Sequence, residues 1–554
     1  MRKFYKLISY SILTALYSPV TAQQLPNAGF EDGWQDCYPW TSNKNSNGPF
    51  DGDTNQGKTP KPWCISNTIG TGSAGKTTVG ENVNGHLSSS AIKLTNIDSG
   101  IGDNIIPGYV SLGTTWSTST VVSFTKPLNK DGGTFGGISF TNKPDALSLW
   151  YTRVESSDNS SIIAYLWKGT YTQQDVPGNI TFSISSTPSQ PKLWTMIDRD
   201  RNILDIATEK GEDITTKGTL IASINAPIST VANEWTEFFH EFEYKNNDTP
   251  EKINVIISAG DYFNSTVVAN SSITVDDVKL IYYSRLKSLK YNDAAVEFTD
   301  GGTKVSGTIP TTLDGFNYEL LGQSAKAAIG LDPSNDKATI KVSNVDADKD
   351  GLKEHTYTVN FDPIQATGDA TKFVGKVIIK MGGSAINGEE GTNAEVQIIP
   401  TNEDEYMFKL PDFSLDLGDG PQSLGDIVVP YVKASTVARS ASATTYTGKI
   451  QNMSLAEGEI LADVDLNGTT DADGNANMNI GVKWHAGETP EDDLPIEVSF
   501  VGKDPTPTGI GSIDADNADA PIEYFNMQGM RVDTPENGLY IRRQGNTVTK
   551  VLVK

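Results

Sequence analysis

Two runs of the chain carry carboxylates at the spacing a hard cation uses: Asp346-x-Asp348-x-Asp350-Gly351 and Asp463-x-Asp465-x-Asn467-Gly468. Oxygen ligands at alternate positions over a glycine turn open a calcium loop, but such a loop closes on a bidentate Glu at its twelfth position. Tyr357 and Gly474 stand there instead, so both runs read more simply as solvated hairpins. Gly70-Thr71-Gly72-Ser73-Ala74-Gly75-Lys76-Thr77 fits the phosphate-loop pattern, which works only between a strand and a helix. The residues behind it carry two glycines and no helical period, which predicts a surface loop. Glycoside hydrolysis needs two opposed carboxyl groups. Glu491-x-Asp493 with Glu497 is the nearest local grouping, but Pro495 interrupts it, so the catalytic residues stay unknown. Neither a G-x-S-x-G elbow nor an H-E-x-x-H helix occurs.

Sugar recognition is better supplied. A flat aromatic ring stacks on the C–H face of a pyranose while neighbouring polar groups meet the hydroxyls. Trp34, Tyr38, Trp40 and Trp63 surround Cys37 and Cys64, Trp116 sits in a glycine-rich stretch, and Trp150-Tyr151-Thr152-Arg153 precedes Tyr165 and Trp167. The candidate glycan-stacking set is Trp34, Trp40, Trp63, Trp116, Trp150, Arg153 and Trp167. Side chains alternate along a strand, so Trp150 and Tyr151 must face opposite ways, and for any single tryptophan a core position is the competing reading. Cys37 and Cys64 are close enough in sequence to close one loop as a disulfide in an oxidising compartment.

The elements that must position these groups are strands. Fifty-one glycines and abundant Thr, Ser, Asn and Asp, without long Ala/Leu/Glu/Lys runs, predict an all-β chain with many turns. At 554 residues the chain needs several cores. Arg2, Lys3 and Lys6 before an apolar stretch ending in Val20-Thr21-Ala22 read as a cleavable signal peptide over residues 1–22, which predicts a secreted or cell-surface protein. Residues 25–284 alternate apolar segments (Ala146–Val154, Ser161–Trp167, Trp235–Tyr244, Ile253–Ala259) with turn residues, as a β-sandwich does. Residues 286–362 read as an Ig-like β spacer with strands near Phe316–Leu320, Ala338–Val342 and Tyr357–Phe361. Eight hairpin-like segments over 371–503 predict a small β-barrel. Residues 504–519 form a stiff polar linker, and 520–554 a short C-terminal β unit. With 69 acidic and 44 basic residues the net charge is −25, a field that repels nucleic acid and leaves neutral glycans unopposed.

Several stretches resemble known families. Leu25-Pro26-Asn27-Ala28-Gly29-Phe30-Glu31 with Trp34, Pro62-Trp63, Gly108–Thr114, Gly132–Ile138 and Lys143–Leu147 are together similar to the carbohydrate-metabolism (PCMD-type) jelly-roll domain of exported gut-type bacterial proteins. The segment Ile273–Leu280 resembles the last strand of many carbohydrate-binding jelly rolls. Phe373–Lys376, Leu410–Leu415, Ile427–Pro430 and Tyr446–Lys449 resemble a calycin-like barrel. Tyr524–Val532, Pro535–Ile541 and Lys550–Lys554 look like the C-terminal sorting domain of the type IX secretion route, which implies outer-membrane secretion machinery as a partner.

The jelly-roll resemblance implies binding of polysaccharide or oligosaccharide and a structural calcium shared by Glu31, Asp276 and Asp277. It implies no other cofactor, and the oligomeric state stays open. The leading expectation is a non-catalytic carbohydrate-binding protein. The alternatives are a glycoside hydrolase acting on an extracellular polysaccharide and a carrier holding a small apolar ligand in the barrel, for which Val377, Ile379, Val396, Ile398, Phe408 and Val482 are lining candidates.

Overall fold

The computed structural model describes residues 23–36, 40–41, 57–69, 76–98, 105–120, 129–156, 158–169, 172–173, 196–198, 214–216, 219–263, 267–416, 420–436, 443–487, 489–505, 521–544 and 547–554. Among these the chain is all β: strands and turns with two short 3-10 segments and no α-helix. Two compact units divide it: one holds the described residues up to Asp332 and Asp336–Pro363, the other Pro333–Asn335 and the residues from Ile364 onward.

The first unit is built on a jelly roll. Its strands are β1 (Gly80–Val83), β2 (Ala91–Thr95), β3 (Tyr109–Ser111), β4 (Ala146–Arg153), β5 (Ser160–Lys168), β6 (Thr219–Ile228), β7 (Ala232–Glu241), β8 (Lys252–Ser258) and β9 (Ser272–Ile281). A five-stranded sheet runs β7-β4-β9-β2-β1 and a larger one carries β6-β5-β8-β3, all antiparallel. From β2 onward the chain crosses between the sheets at nearly every step, the winding that makes a jelly roll rather than a meander. Burial follows the two-residue period of a strand. On β4, Leu147, Leu149 and Tyr151 point into the sandwich core, where Ile162, Ala164 and Leu166 of β5 and Val255 and Ile257 of β8 meet them.

The larger sheet is buried on its other face as well. Tyr109, Ile163, Tyr165, Trp167, Leu220, Ile256 and Tyr262 form a second cluster there. Ser111 and Asn254 bond within 2.8 Å, and Ser111 meets Thr134 at 2.7 Å; Thr134 belongs to the neighbouring sheet of Thr114–Thr120 and Asn129–Phe135. The outer face of the five-stranded sheet, by contrast, exposes Glu81, Glu237 and part of Trp150.

Beside the jelly roll in the same unit, Leu286–Tyr291 pairs with Phe316–Leu320, and Lys326–Asp332, Lys337–Ser343 and Glu354–Asp362 form an antiparallel ladder. Polar groups tie the two modules together. The buried Asp145 carboxylate accepts the N–H groups of Tyr283 and Gln323, each at 2.7 Å, and burial pushes its pKa up to about 7.

In the second unit, β10 (Thr371–Met381), β11 (Thr392–Asn402), β12 (Glu405–Asp416), β13 (Pro421–Thr436), β14 (Thr444–Leu455), β15 (Ile460–Thr470), β16 (Asn475–His485) and β17 (Asp493–Lys503) pair in sequence, and β17 returns to β10. This is a closed eight-stranded barrel, which leaves no sheet edge. The eight segments that alternation predicts (Phe373–Lys380, Ala394–Ile399, Tyr406–Leu410, Ile427–Val429, Tyr446–Ile450, Leu461–Leu466, Met478–Trp484 and Ile496–Val501) each lie in one of its strands. A small sheet of Ile522–Phe525, Arg531–Val532, Gly538–Gln544 and Thr547–Val553 ends the chain.

Candidate glycan-binding face

The outer face of the five-stranded sheet gathers aromatic rings around one loop. Trp150 on β4 is paired with Glu237 on β7, so both point outward, and Trp235 two residues along β7 shares that side. The His86 ring lies on Trp150 at 4.0 Å between centroids and 18° between planes, and Trp235 is 5.8 Å from the same imidazole. Leu87, next in the chain, is 96% exposed with φ +57°. A leucine held in the left-handed region costs of order 1–2 kcal/mol, so the surrounding structure must impose it.

What imposes it is a pair of carboxylates. Asp276 on β9, fully buried, accepts the His86 N–H and the Ser88 hydroxyl on Oδ2 and the Asp277 N–H on Oδ1, each at 2.8 Å. Glu31 accepts the Ser90 N–H at 2.8 Å and the Ser89 hydroxyl at 2.7 Å. Asp277, at φ +50°, sits beside the imidazole, with Oδ2 3.2 Å from His86 Nδ1. Gly85 lets the loop come this close: a Cβ there would collide with Ser88 Oγ, Asp276 Oδ2 and the Ser90 carbonyl. Burial raises the Asp276 pKa, while the Ser89 hydroxyl and the Ser90 amide hold Glu31 below the usual carboxylate range.

The chain's two ends of the sandwich, Glu31 and Asp276/Asp277, therefore do converge beside Gly29. Their oxygens, however, receive N–H and O–H donors of the 85–90 loop. Asp276 and Glu31 thereby staple the loop to the sandwich.

The remaining candidates divide sharply. Trp63 and Trp167 are 0% exposed; a ring with no accessible face cannot stack on a sugar, and both are core residues. The Trp63 indole N–H donates to the Pro26 carbonyl at 3.0 Å. Arg153 is buried too, donating to Ser160 Oγ and the Ser229 carbonyl at 3.1 Å and to the Asp158 carbonyl, so it braces the β4–β5 turn and does not meet ligand hydroxyls. Trp34 is partly buried and gives its N–H to Ser90 Oγ at 3.3 Å, behind the loop. Trp40 and Trp116 pair as neighbours in parallel strands, and their side chains lie outside the described residues. So do Cys37 and Tyr38; Cys64 Sγ is 3.1 Å from Thr115 Oγ1. The signal segment over 1–22 and most of the linker also fall outside. Trp235, His86 and Leu87 were not among the sequence candidates. The alternation that set Trp150 and Tyr151 on opposite faces applies equally to Trp235 and its strand neighbours, and Asn84-Gly85 just before His86 is a turn signal.

The other chemical motifs resolve into structure. Asp348, Asp350 and His355 bring potential ligand atoms within 4.8 Å of one another, but Arg285 already donates to both carboxylates at 2.6 Å and His355 Nε2 lies 2.8 Å from Asp350. Gln24 reaches the first carboxylate, Asp346 Oδ2, at 2.7 Å. The run that opens like a calcium loop is thus a clasp between jelly roll and spacer. Asp463 and Asp465 lie on β15, paired with Lys483 at 3.1 Å and Lys449 at 2.5 Å. Asp493 takes His485 Nδ1 at 2.8 Å. Lys76–Thr77, the end of the phosphate-loop pattern, pairs as a strand with Thr68–Ile69, and no helix follows. The barrel-lining candidates Val377, Ile379, Val396, Ile398, Phe408 and Val482 are buried with Leu466, Met478, Ile480 and Phe500.

No family model and no curated protein matches the chain. Among solved structures, the glycoside hydrolase domain of Endo-D from Streptococcus pneumoniae R6 aligns over 74% of this chain and 43% of its own length, with 9% identity and a TM-score of 0.17. The chain thus spans less than half of that protein. A likeness this slight says nothing about activity, and the account rests on the chain's own geometry: an all-β protein whose five-stranded sheet carries a stapled, aromatic outer face.

Proposed function

We propose that the protein is an exported, non-catalytic glycan-binding protein that holds a neutral polysaccharide or oligosaccharide on the outer face of its five-stranded sheet. The observation that carries the reading is the Trp150–His86–Trp235 group beside the exposed Leu87. Planar rings and an apolar tip meet the C–H faces of sugar rings, while Glu237 and Asp277 accept hydroxyls. The net charge of −25 opposes anionic polymers and leaves neutral ones unhindered. Binding rather than hydrolysis is favoured because Asp276 and Glu31, two of the carboxylates beside this face, already hold the 85–90 loop. Export through the N-terminal signal and the sorting-like tail, with outer-membrane machinery as partner, belongs to the same proposal. Affinity electrophoresis in gels containing soluble polysaccharides tests it: Trp150→Ala and Trp235→Ala should each reduce retardation, and a protein that no glycan retards defeats the proposal.

A further inference from the structure

The barrel has a site of its own. A cavity of about 470 Å³ opens at one end, lined among others by Phe373, Tyr446, Thr470, Asp473, Lys503 and Asp504. These residues come together because strand ends coincide there: Val374 pairs with Lys503, Thr444 with Thr470, and Asn475 with Lys503. The floor is aromatic. Phe373 is buried, while Tyr446 packs edge-on against Tyr406 at 5.6 Å and hydrogen-bonds Thr470.

One wall is a rigid turn. The Asp471 carboxylate accepts N–H groups from Asp473 at 3.0 Å, from Asn475 at 2.9 Å, and from the Asn475 side chain at 2.8 Å. Gly474, at φ +76°, accepts the Asp504 N–H at 2.8 Å, fixing the turn to the chain leaving the barrel. The cavity is therefore bounded by backbone that is already tied down, and its size falls within the usual range for small-ligand sites, roughly 300–1,000 Å³.

We infer that this mouth is a second binding site, for a neutral polyhydroxylated ligand the size of a mono- or disaccharide. Three Asp groups against one Lys disfavour anions, carboxylate and hydroxyl oxygens match sugar hydroxyls, Lys503 supplies a donor, and Tyr446 offers a ring face. An apolar ligand would find the interior behind it already filled by Phe373, Phe500 and Met478.

The test uses the full chain carrying Trp150→Ala and Trp235→Ala, so that the sandwich face is silent. Calorimetric titration with a panel of neutral mono- and disaccharides should show one equivalent binding for at least one member. Asp473→Asn or Lys503→Gln, both on exposed side chains, should weaken it at least tenfold with the melting temperature unchanged. Tyr446→Phe should weaken it less than Tyr446→Ala. No heat from any sugar, heat unaltered by Asp473→Asn and Lys503→Gln, or binding of a fatty acid or of Ca²⁺ alone in place of sugar would each overturn the inference.

Discussion

Replacing Asp276 with Ala probes the loop that builds the aromatic outer face. The side chain is fully buried and receives three hydrogen bonds of 2.8 Å, from the His86 N–H, the Ser88 hydroxyl and the Asp277 N–H. Hydrogen bonds to a charged group contribute about 1.5–3 kcal/mol each. Ser88 keeps an alternative acceptor in the Ser90 carbonyl at 3.2 Å, which leaves two amides stranded. Their loss is partly offset because a carboxylate whose pKa burial has raised no longer has to be accommodated. The balance is a destabilisation on the order of 2–4 kcal/mol, most of it in the 85–90 loop. Two assays read it: the melting temperature should fall by several degrees, and the His86 amide should exchange much faster with solvent. Asp277→Ala is the control; that side chain is 47% exposed and, among the described residues, meets the imidazole, so its removal should cost under about 1 kcal/mol. If Asp276→Ala melts like the parent and His86 exchange is unchanged, the staple does not hold the loop.

Gly85→Ala should have a similar effect by the opposite route, crowding the Asp276 and Ser88 side chains instead of removing their partner; comparing its glycan affinity with that of Asp276→Ala checks this. Asp145, whose folded pKa of about 7 lies above the unfolded carboxylate value of 3.8, binds its proton more tightly when folded. Its contribution to stability is therefore full below about pH 4 and lost as pH rises to about 7, an amount on the order of 4 kcal/mol at most. Asp145→Asn should flatten the pH profile of the melting temperature over that window relative to the parent. Arg285→Ala should destabilise the jelly roll–spacer clasp by on the order of 2–4 kcal/mol by leaving the buried Asp348 uncompensated. The same change should make stability newly responsive to Ca²⁺, which differential scanning calorimetry with and without the ion would detect.

The fold was legible because alternation and turn chemistry survive in a single sequence. The barrel strands were found at the right places but too short: predicted Ile427–Val429 is the middle of Pro421–Thr436, whose ends carry Gln422, Ser423 and Ser435, polar residues that a hydrophobic period cannot see. The aromatic outer face was half legible. Strand parity set Trp150 and Tyr151 on opposite faces without saying which is outward; Tyr151 is 5% exposed in the core, and Trp150 faces out. Trp167 failed because the larger sheet is buried on both faces, so parity does not separate core from surface there. Arg153 looked like a hydroxyl donor; its buried partners are main-chain carbonyls brought by a turn, which spacing does not reveal. The calcium-like runs misled for an electrostatic reason: the cation that satisfies Asp348 and Asp350 is the guanidinium of Arg285, more than sixty residues away in sequence.

The most direct test of the glycan-binding face is the affinity of the full-length parent, Trp150→Ala and Trp235→Ala proteins for one neutral polysaccharide, with melting temperatures taken on the same samples. The account predicts that each ring removal weakens binding by about 1–3 kcal/mol, roughly fivefold to 150-fold, while the melting temperature stays within a degree or two, since both rings lie on the outer face. Unchanged affinity in both variants, or a loss of binding that appears only together with unfolding, would contradict it.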